Sequence, residues 1–191
     1  MTLEAIDKVA FINEVNIRAM NIDGYFKRFK SRTLTAYPRR FTVEEEKTFK
    51  NEVILKNFEK LEKEYIDFIK QCYTFNKGKL IIDFYINRLD DGAISKILEV
   101  LDKNEQRDFL KLIENLDKEK IYFKVVDEDI LDIIVKLNTR NMFFTTFYFL
   151  ENELTLWGNY DLKFPMFFKD YEILKGYEEI AKRSNLNILK N

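Results

Sequence analysis

One stretch of the chain, residues 143–168, constrains the fold more than any other. The chain has 18 phenylalanines, 10 tyrosines and one tryptophan, and ten of these aromatic residues fall within this stretch. A single aromatic side chain can bury roughly 150–250 Å². Whatever these rings pack against must therefore form the main hydrophobic core.

The same stretch predicts two strands at the centre of a sheet. Residues 143–150 are β-branched and aromatic, with apolar side chains at both parities, which indicates a strand covered on both faces. Residues 154–164 alternate apolar and polar, which is typical of a half-buried strand. We interpret Gly158 as a bulge inside this second strand, with a two-residue hairpin turn as the alternative. Pro165 has no N–H to donate and is expected to end the regular pairing.

The first part of the chain is predicted to be mainly helical. Apolar residues at helical spacing predict a helix over residues 3–22, with Thr2 as its cap and Asp23-Gly24 as its end. A longer helix is predicted over about 43–75, because Thr42 and Glu45 form a capping box at its start. Apolar residues then repeat in heptad steps over 54–75, and this seam could pack on the chain's own sheet or pair two copies as a homodimer.

The remaining elements alternate and then run as a meander. We expect strands at 80–86 and 121–125, helices that begin near Asp90 and Asp127, and a final helix at 169–184. This order predicts an α+β fold: a single domain with a mixed, mainly antiparallel sheet centred on 143–164 and flanking helices. An N-terminal helical region, 1–78, would precede the sheet region, 79–191.

Composition excludes several kinds of chemistry. The chain contains no histidine, which is the commonest general base, and only one cysteine, Cys72, so a Cys/His zinc site cannot be built. Cys72 lies in the apolar seam, where its thiol is expected to be inert. We therefore predict no cofactor, no metal and no catalytic residue. The single cysteine and the absence of a leader-like or membrane-spanning segment favour the cytoplasm, and the composition suggests a bacterial or phage origin.

Residues 25–41 form a basic, aromatic segment without a single acidic residue. Its arginines could neutralise phosphates while neighbouring rings stack on bases, so this segment is a candidate nucleic-acid site through Arg28, Arg32, Arg39 and Arg40. The glutamates at 44–46 would repel a phosphate at the adjacent helix start. The alternatives are an acidic protein partner, or a connector whose rings enter the core and whose cations pair within the chain.

Two acidic groups, Asp90-Asp91 and Asp127-Glu128-Asp129, stand at predicted helix starts. Carboxylates at such positions cap the helix and complement its dipole, which is the interpretation we favour. Together with Asp83 they could instead hold Mg²⁺ in a metal-dependent phosphodiesterase. That is the third of the functional alternatives.

The most distinctive candidate contact group is the run Trp157, Gly158, Asn159, Tyr160. Trp157 falls on the more polar face of its predicted strand, and an exposed tryptophan often anchors a protein interface. The sequence therefore favours a non-catalytic protein that binds and inhibits or neutralises another protein, of the immunity or inhibitor kind, through Trp157, Asn159, Tyr160 and the basic segment. Nucleic-acid binding is the alternative, and no membrane contact is predicted.

Overall fold

The computed structural model describes residues 2–18, 21–85 and 88–191. Within them one eight-stranded sheet has the strand order β1-β4-β3-β5-β6-β7-β2-β8, and every pairing of neighbouring strands is antiparallel. The strands are β1 Leu3–Ile6, β2 Lys30–Thr35, β3 Leu80–Asp83, β4 Tyr122–Val125, β5 Thr146–Phe149, β6 Leu154–Trp157, β7 Lys163–Phe168 and β8 Asn187–Lys190. The predicted α+β fold is confirmed, and β5 and β6 stand in the middle of the sheet as expected.

Helices occupy about half of the chain. They are α1 Lys8–Glu14, α2 Ile22–Arg28, α3 Val43–Phe49, α4 Phe58–Phe75, α5 Asp91–Val100, α6 Lys103–Asn115, α7 Ile130–Thr139 and α8 Tyr171–Arg183. The capping box of Thr42 and Glu45 is present at α3, and Asn185 takes the left-handed conformation expected just beyond α8. No helix in the described ranges is both long and apolar enough to cross a membrane.

The central strands send alternate side chains into two different cores. Phe147 and Phe149 enter the main core with the helices α4, α7 and α8, whereas Tyr148 joins a smaller cluster with Phe11 of α1. Phe167 points the same way as Tyr148 and packs with Tyr25 of α2. The sheet therefore has a thick helical layer on one face and a thin layer, α1 and α2, on the other.

The predicted helix over 3–22 is wrong at its start and at its end. Residues 3–6 form β1 because they pair with β4, and helix α1 is capped by Asp7 rather than by Thr2. The Asp23-Gly24 pair lies inside α2 instead of ending a helix. Ala19, and likewise Ile86 of the predicted strand 80–86, lie outside the described residues.

The basic segment is not a plain connector, because it contains strand β2. This strand lies between β7 and β8, so the region 1–78 contributes two strands to the common sheet. Strand β8 follows the last helix and was also absent from the prediction. Both strands are short and pair with partners far away in the sequence.

The second predicted central strand is two strands joined by a loop. β6 ends at Trp157 and β7 begins at Lys163, so Gly158 is neither a bulge within one strand nor part of a two-residue turn. Pro165 does not end pairing either, since it lies opposite Thr33 of β2. Its missing N–H is tolerated because the pairing of β7 with β6 covers only Met166 and Phe167.

The long helix is present over residues 43–75, and a short π turn and a 3₁₀ turn interrupt it between α3 and α4. Its heptad seam turns toward the chain's own core, where Ile54, Tyr65, Phe68 and Cys72 are buried. Burial raises the pKa of the Cys72 thiol well above its usual value, which keeps it protonated. The seam residues are thus used within the monomer.

Candidate functional site

A cleft of about 360 Å³ opens between the thin helical layer and the sheet. Four strands build its floor, because Asp83 pairs with Tyr122 and Thr146 pairs with Trp157 on the same face. Tyr148, two residues from Thr146, stands on this face as well. We call this cavity the aromatic cleft; its lining consists of Lys8, Phe11, Ile12, Arg18, Arg28, Asp83, Tyr85, Tyr122, Tyr148 and Trp157.

The walls of the aromatic cleft are rings held in fixed positions by one another. Phe11 of α1 stacks flat on Tyr122, with 3.7 Å between the ring centroids and 6° between the planes. The same phenylalanine meets Tyr148 edge-on at 5.0 Å. Trp157 is half-buried and stands perpendicular to Tyr25 of α2 at 5.5 Å. These contacts preorganise the rings.

Asp83 is the buried carboxyl group at the floor of the cleft, with 7% of its surface exposed. Its Oδ1 accepts a hydrogen bond of 2.6 Å from the Thr146 N–H, and its Oδ2 lies 3.4 Å from the Tyr148 hydroxyl. Burial raises the pKa of Asp83 to about 6, although the bonds from Thr146 and Tyr148 act in the opposite direction. Burial and the nearby Asp83 also raise the pKa of Tyr148 and of Tyr85.

Three cations border the cleft: Lys8 on α1, Arg18 after α1, and Arg28 in the last turn of α2. None of them forms an ion pair with a carboxylate anywhere in the ranges 2–18, 21–85 and 88–191. Many other cations of this chain are paired; Arg140, for example, meets Glu62. The cleft therefore combines aromatic surface and positive charge with one desolvated acid.

A second feature, the loop of residues 158–162, lies at the end of β6 next to Trp157; we call it the Tyr160 loop. Tyr160 is 60% exposed and rests edge-on against Phe144, with 4.5 Å between the centroids. Asp161 and Leu162 both have positive φ values, 57° and 55°. A positive φ is costly for a residue other than glycine and persists only where its surroundings enforce it.

The surroundings of the Tyr160 loop supply that enforcement. The buried Tyr65 hydroxyl donates a 2.5 Å hydrogen bond to the Leu162 carbonyl, and Lys50 pairs with Asp161. Both partners come from the long helical segment that packs under the loop. These contacts hold the loop in one conformation, in which the Tyr160 side chain is exposed to solvent.

Gly158 fits the loop because no side chain could stand there. A Cβ at this position would lie 1.7 Å from Asn138 Oδ1 and 2.7 Å from the Thr145 carbonyl oxygen. The buried Asn138 cannot retreat without breaking its own bonds, since its Oδ1 accepts from the Thr145 N–H at 2.9 Å.

Gly158→Ala is therefore expected to destabilise the protein by about 1–3 kcal/mol, the usual cost of overpacking. Urea unfolding followed by circular dichroism measures the change. Gly92→Ala is the matched control, because its Cβ would meet only Asp90 Oδ1 at an ordinary 3.4 Å. Equal stability of the two variants would contradict the described packing.

The structure separates the residues that the sequence grouped together. Trp157 and Arg28 meet in the aromatic cleft, whereas Asn159 and Tyr160 belong to the loop beside it. Arg32 lies over the Tyr171 ring, 4.9 Å from its centroid, on another part of the sheet.

Arg39 and Arg40 are both occupied within the chain. Arg39 grips Glu45 with bonds of 2.8 and 3.2 Å, and its guanidinium holds the pKa of that carboxyl down to about 2. Arg40 donates to the Lys190 carbonyl at 2.8 Å. The arginines of the basic segment therefore do not line one common track.

The acidic candidates do not assemble into a metal site. Asp90 caps α5 by accepting from the Ala93 N–H at 2.7 Å, as predicted, and Asp127 accepts from the Asp129 N–H at 3.0 Å. In the part of the chain that the structure describes, no group of three or more histidine, cysteine or acidic residues could hold a metal ion.

The sequence does not predict most of the aromatic cleft: it places Lys8, Phe11 and Arg18 in a helix and Tyr122 and Tyr148 in strands, with no sign of a common site. One signal was present, since Asp83 interrupts an otherwise apolar strand. The other residues of the cleft come from distant segments of the chain: the sheet register brings Tyr122, Tyr148 and Trp157 to Asp83, and the packing of α1 and α2 adds the rest.

The fold and these two features define an α+β protein with a cleft on the thinly covered face of its sheet and a rigid loop beside it. Comparison with known proteins found no family model, no curated protein and no solved structure that matches this chain. Function is therefore inferred from the geometry of the cleft and of the loop.

Proposed function

We propose that this chain is a non-catalytic binding protein, cytoplasmic and of bacterial or phage origin, that binds and inhibits or neutralises another protein. The observation that carries the proposal is the Tyr160 loop, where an exposed tyrosine stands on a backbone held in place by buried contacts. Asn159, half-buried next to it, and Phe144 beneath it extend the same surface.

Preorganisation is what makes this loop suited to binding. Tyrosine is among the residue types that dominate the binding energy of protein interfaces. A loop that is already fixed loses little conformational freedom when a partner docks, so more of the contact energy appears as affinity. The buried hydrogen bond from Tyr65 to the Leu162 carbonyl supplies this rigidity from outside the contact surface.

Nucleic-acid binding draws less support from the geometry. Recognition of a nucleic-acid backbone needs several unpaired cations along one surface. Arg39 is paired with Glu45, and Arg32 lies over Tyr171 on another part of the sheet from Arg28. The heptad seam likewise gives little support to a homodimer, because its central residues are buried in the monomer.

The test is affinity capture from a lysate of the source organism, followed by a titration with the partner once it is identified and purified. Tyr160→Ala is expected to weaken binding of that partner by about 30-fold, the effect of losing an interface hot spot. Tyr171→Ala, which removes a 43% exposed tyrosine on α8, is the matched control and should bind like the wild type.

Three outcomes would count against the proposal. Capture could be lost on nuclease treatment, which would move the interaction to nucleic acid. The affinity could fall steeply with salt, with a slope set by the number of phosphates neutralised. The two tyrosine variants could also bind the partner equally well.

A further inference from the structure

We propose that the aromatic cleft is a binding site for a mononucleotide, with the base against the aromatic walls and the phosphate at Lys8, Arg18 and Arg28. This inference goes beyond the protein-binding proposal, because it uses the cleft rather than the Tyr160 loop. Charge, ring surface, the buried acid and the size of the cavity each contribute to it.

The positive charges around the cleft indicate that the ligand carries an anionic group. Lys8, Arg18 and Arg28 line one cavity, and none of them is ion-paired within the described ranges. Arg18 donates one bond to the Val15 carbonyl, which leaves its charge without a counter-ion. The two arginines present planar forks that match phosphate geometry, and lysine adds a point charge. A phosphate group would neutralise this concentration of positive charge.

The aromatic rings of the cleft indicate that the ligand also has a planar group. Phe11 and Tyr122 form a flat stacked pair, and Tyr148 and Trp157 add two more rings on the sheet face. Aromatic side chains bind nucleobases by stacking, whatever the base. An aliphatic anion would leave this surface without a partner.

Asp83 favours a planar group that carries N–H donors. Its carboxylate lines the cavity and is already bonded by the Thr146 N–H and the Tyr148 hydroxyl, with further bonds from the Thr146 side chain and the Asp83 backbone. An amino or imino N–H at the edge of a base is the kind of group that such a carboxylate accepts. Free phosphate or a simple aromatic acid would be repelled there.

The volume of the cleft limits the ligand to a single nucleotide. A volume of about 360 Å³ is at the lower end of the range of small-molecule sites, which suits one nucleotide. A polymer would need a continuing basic track, and Arg32, Arg39 and Arg40 are held elsewhere.

The protein carries its own reporter for this site, because Trp157 is its only tryptophan and lines the cleft. The four ribonucleoside 5′-monophosphates would be titrated into the purified protein, with tryptophan fluorescence and calorimetry as readouts. We expect at least one to change the Trp157 emission and to bind with a submillimolar Kd. The matching nucleoside, ribose 5-phosphate and inorganic phosphate should each bind at least about ten-fold more weakly, because each lacks one of the two recognised parts.

Matched variants locate the binding. Arg28→Gln should weaken the nucleotide by about ten-fold, whereas Arg107→Gln, the same change on the opposite helical layer, should leave its affinity unchanged. Three results would overturn the inference: no nucleotide binding at millimolar concentration, equal binding of inorganic phosphate, or equal effects of the two arginine variants. Because no partner protein is present, failure here is distinct from failure of the protein-binding proposal.

Discussion

Asp83→Asn is expected to stabilise this protein at neutral pH by about 3 kcal/mol. The folded state raises the pKa of Asp83 from its ordinary 3.8 to about 6, so the native protein binds more protons than the unfolded chain between these values. The contribution of Asp83 to stability is then fully present below about pH 4, falls as the pH rises toward 6, and is lost above it. A shift of about two units corresponds to about 3 kcal/mol. Asparagine removes the buried charge, and its side-chain oxygen still accepts from the Thr146 N–H.

Urea denaturation at pH 4 and at pH 7.5 checks this expectation. The gain from Asp83→Asn should be present at pH 7.5 and nearly absent at pH 4. Asp91→Asn, at an exposed position in the first turn of α5, serves as the control and should show no comparable gain. A variant that is less stable than the wild type at both pH values would mean that the carboxylate contributes to the native state.

Arg140→Ala is expected to lower the free energy of unfolding by about 3–5 kcal/mol, a change opposite in sign to that of Asp83→Asn and larger. The Arg140 guanidinium grips the buried Glu62 through contacts of 2.7 and 2.8 Å and also donates to the Val100 carbonyl. Thr139 donates a further 2.9 Å bond to the same carboxylate. Removal of the arginine leaves Glu62 as a buried charge without its counter-ion, and that desolvation is the source of the loss.

The exposed pair of Arg39 and Glu45 provides the comparison. Its two side chains are 60% and 42% exposed, whereas those of Arg140 and Glu62 are 22% and 4% exposed. Water screens the exposed pair, so Arg39→Ala should change the free energy of unfolding only slightly. Chemical denaturation of both variants at one pH gives the measurement, and losses of similar size would contradict the described burial.

Local composition was enough to predict the centre of this fold. The strands β5 and β6 were predictable because aromatic and β-branched residues are concentrated in 146–157, and the capping box of Thr42 and Glu45 is a short-range pattern. Strand β1 was not predictable, because the pattern of residues 3–6 also suits a helix. Only the pairing with residues 122–125 selects the extended form.

The two candidate sites also differ in how far they could be predicted from the sequence. Tyr160 could be identified because it follows Trp157 within a few residues. The cleft could not, because Lys8 and Asp83 become neighbours only when α1 packs on a sheet whose register is fixed by distant strands. The positive φ values at Asp161 and Leu162 could not be read from the sequence, because leucine rarely adopts that conformation and most aspartates do not.

The position of β2 between β7 and β8 also orders the biosynthesis of the protein. Residues 30–35 are synthesised more than 100 residues before their neighbours in the sheet, which come from residues 163–190. The half of the sheet that ends at β1 can close once β4 has emerged. In the other half of the sheet, β2 has no strand partner until residues of β7 or β8 have been synthesised. Such non-local pairing slows folding and exposes strand edges to aggregation.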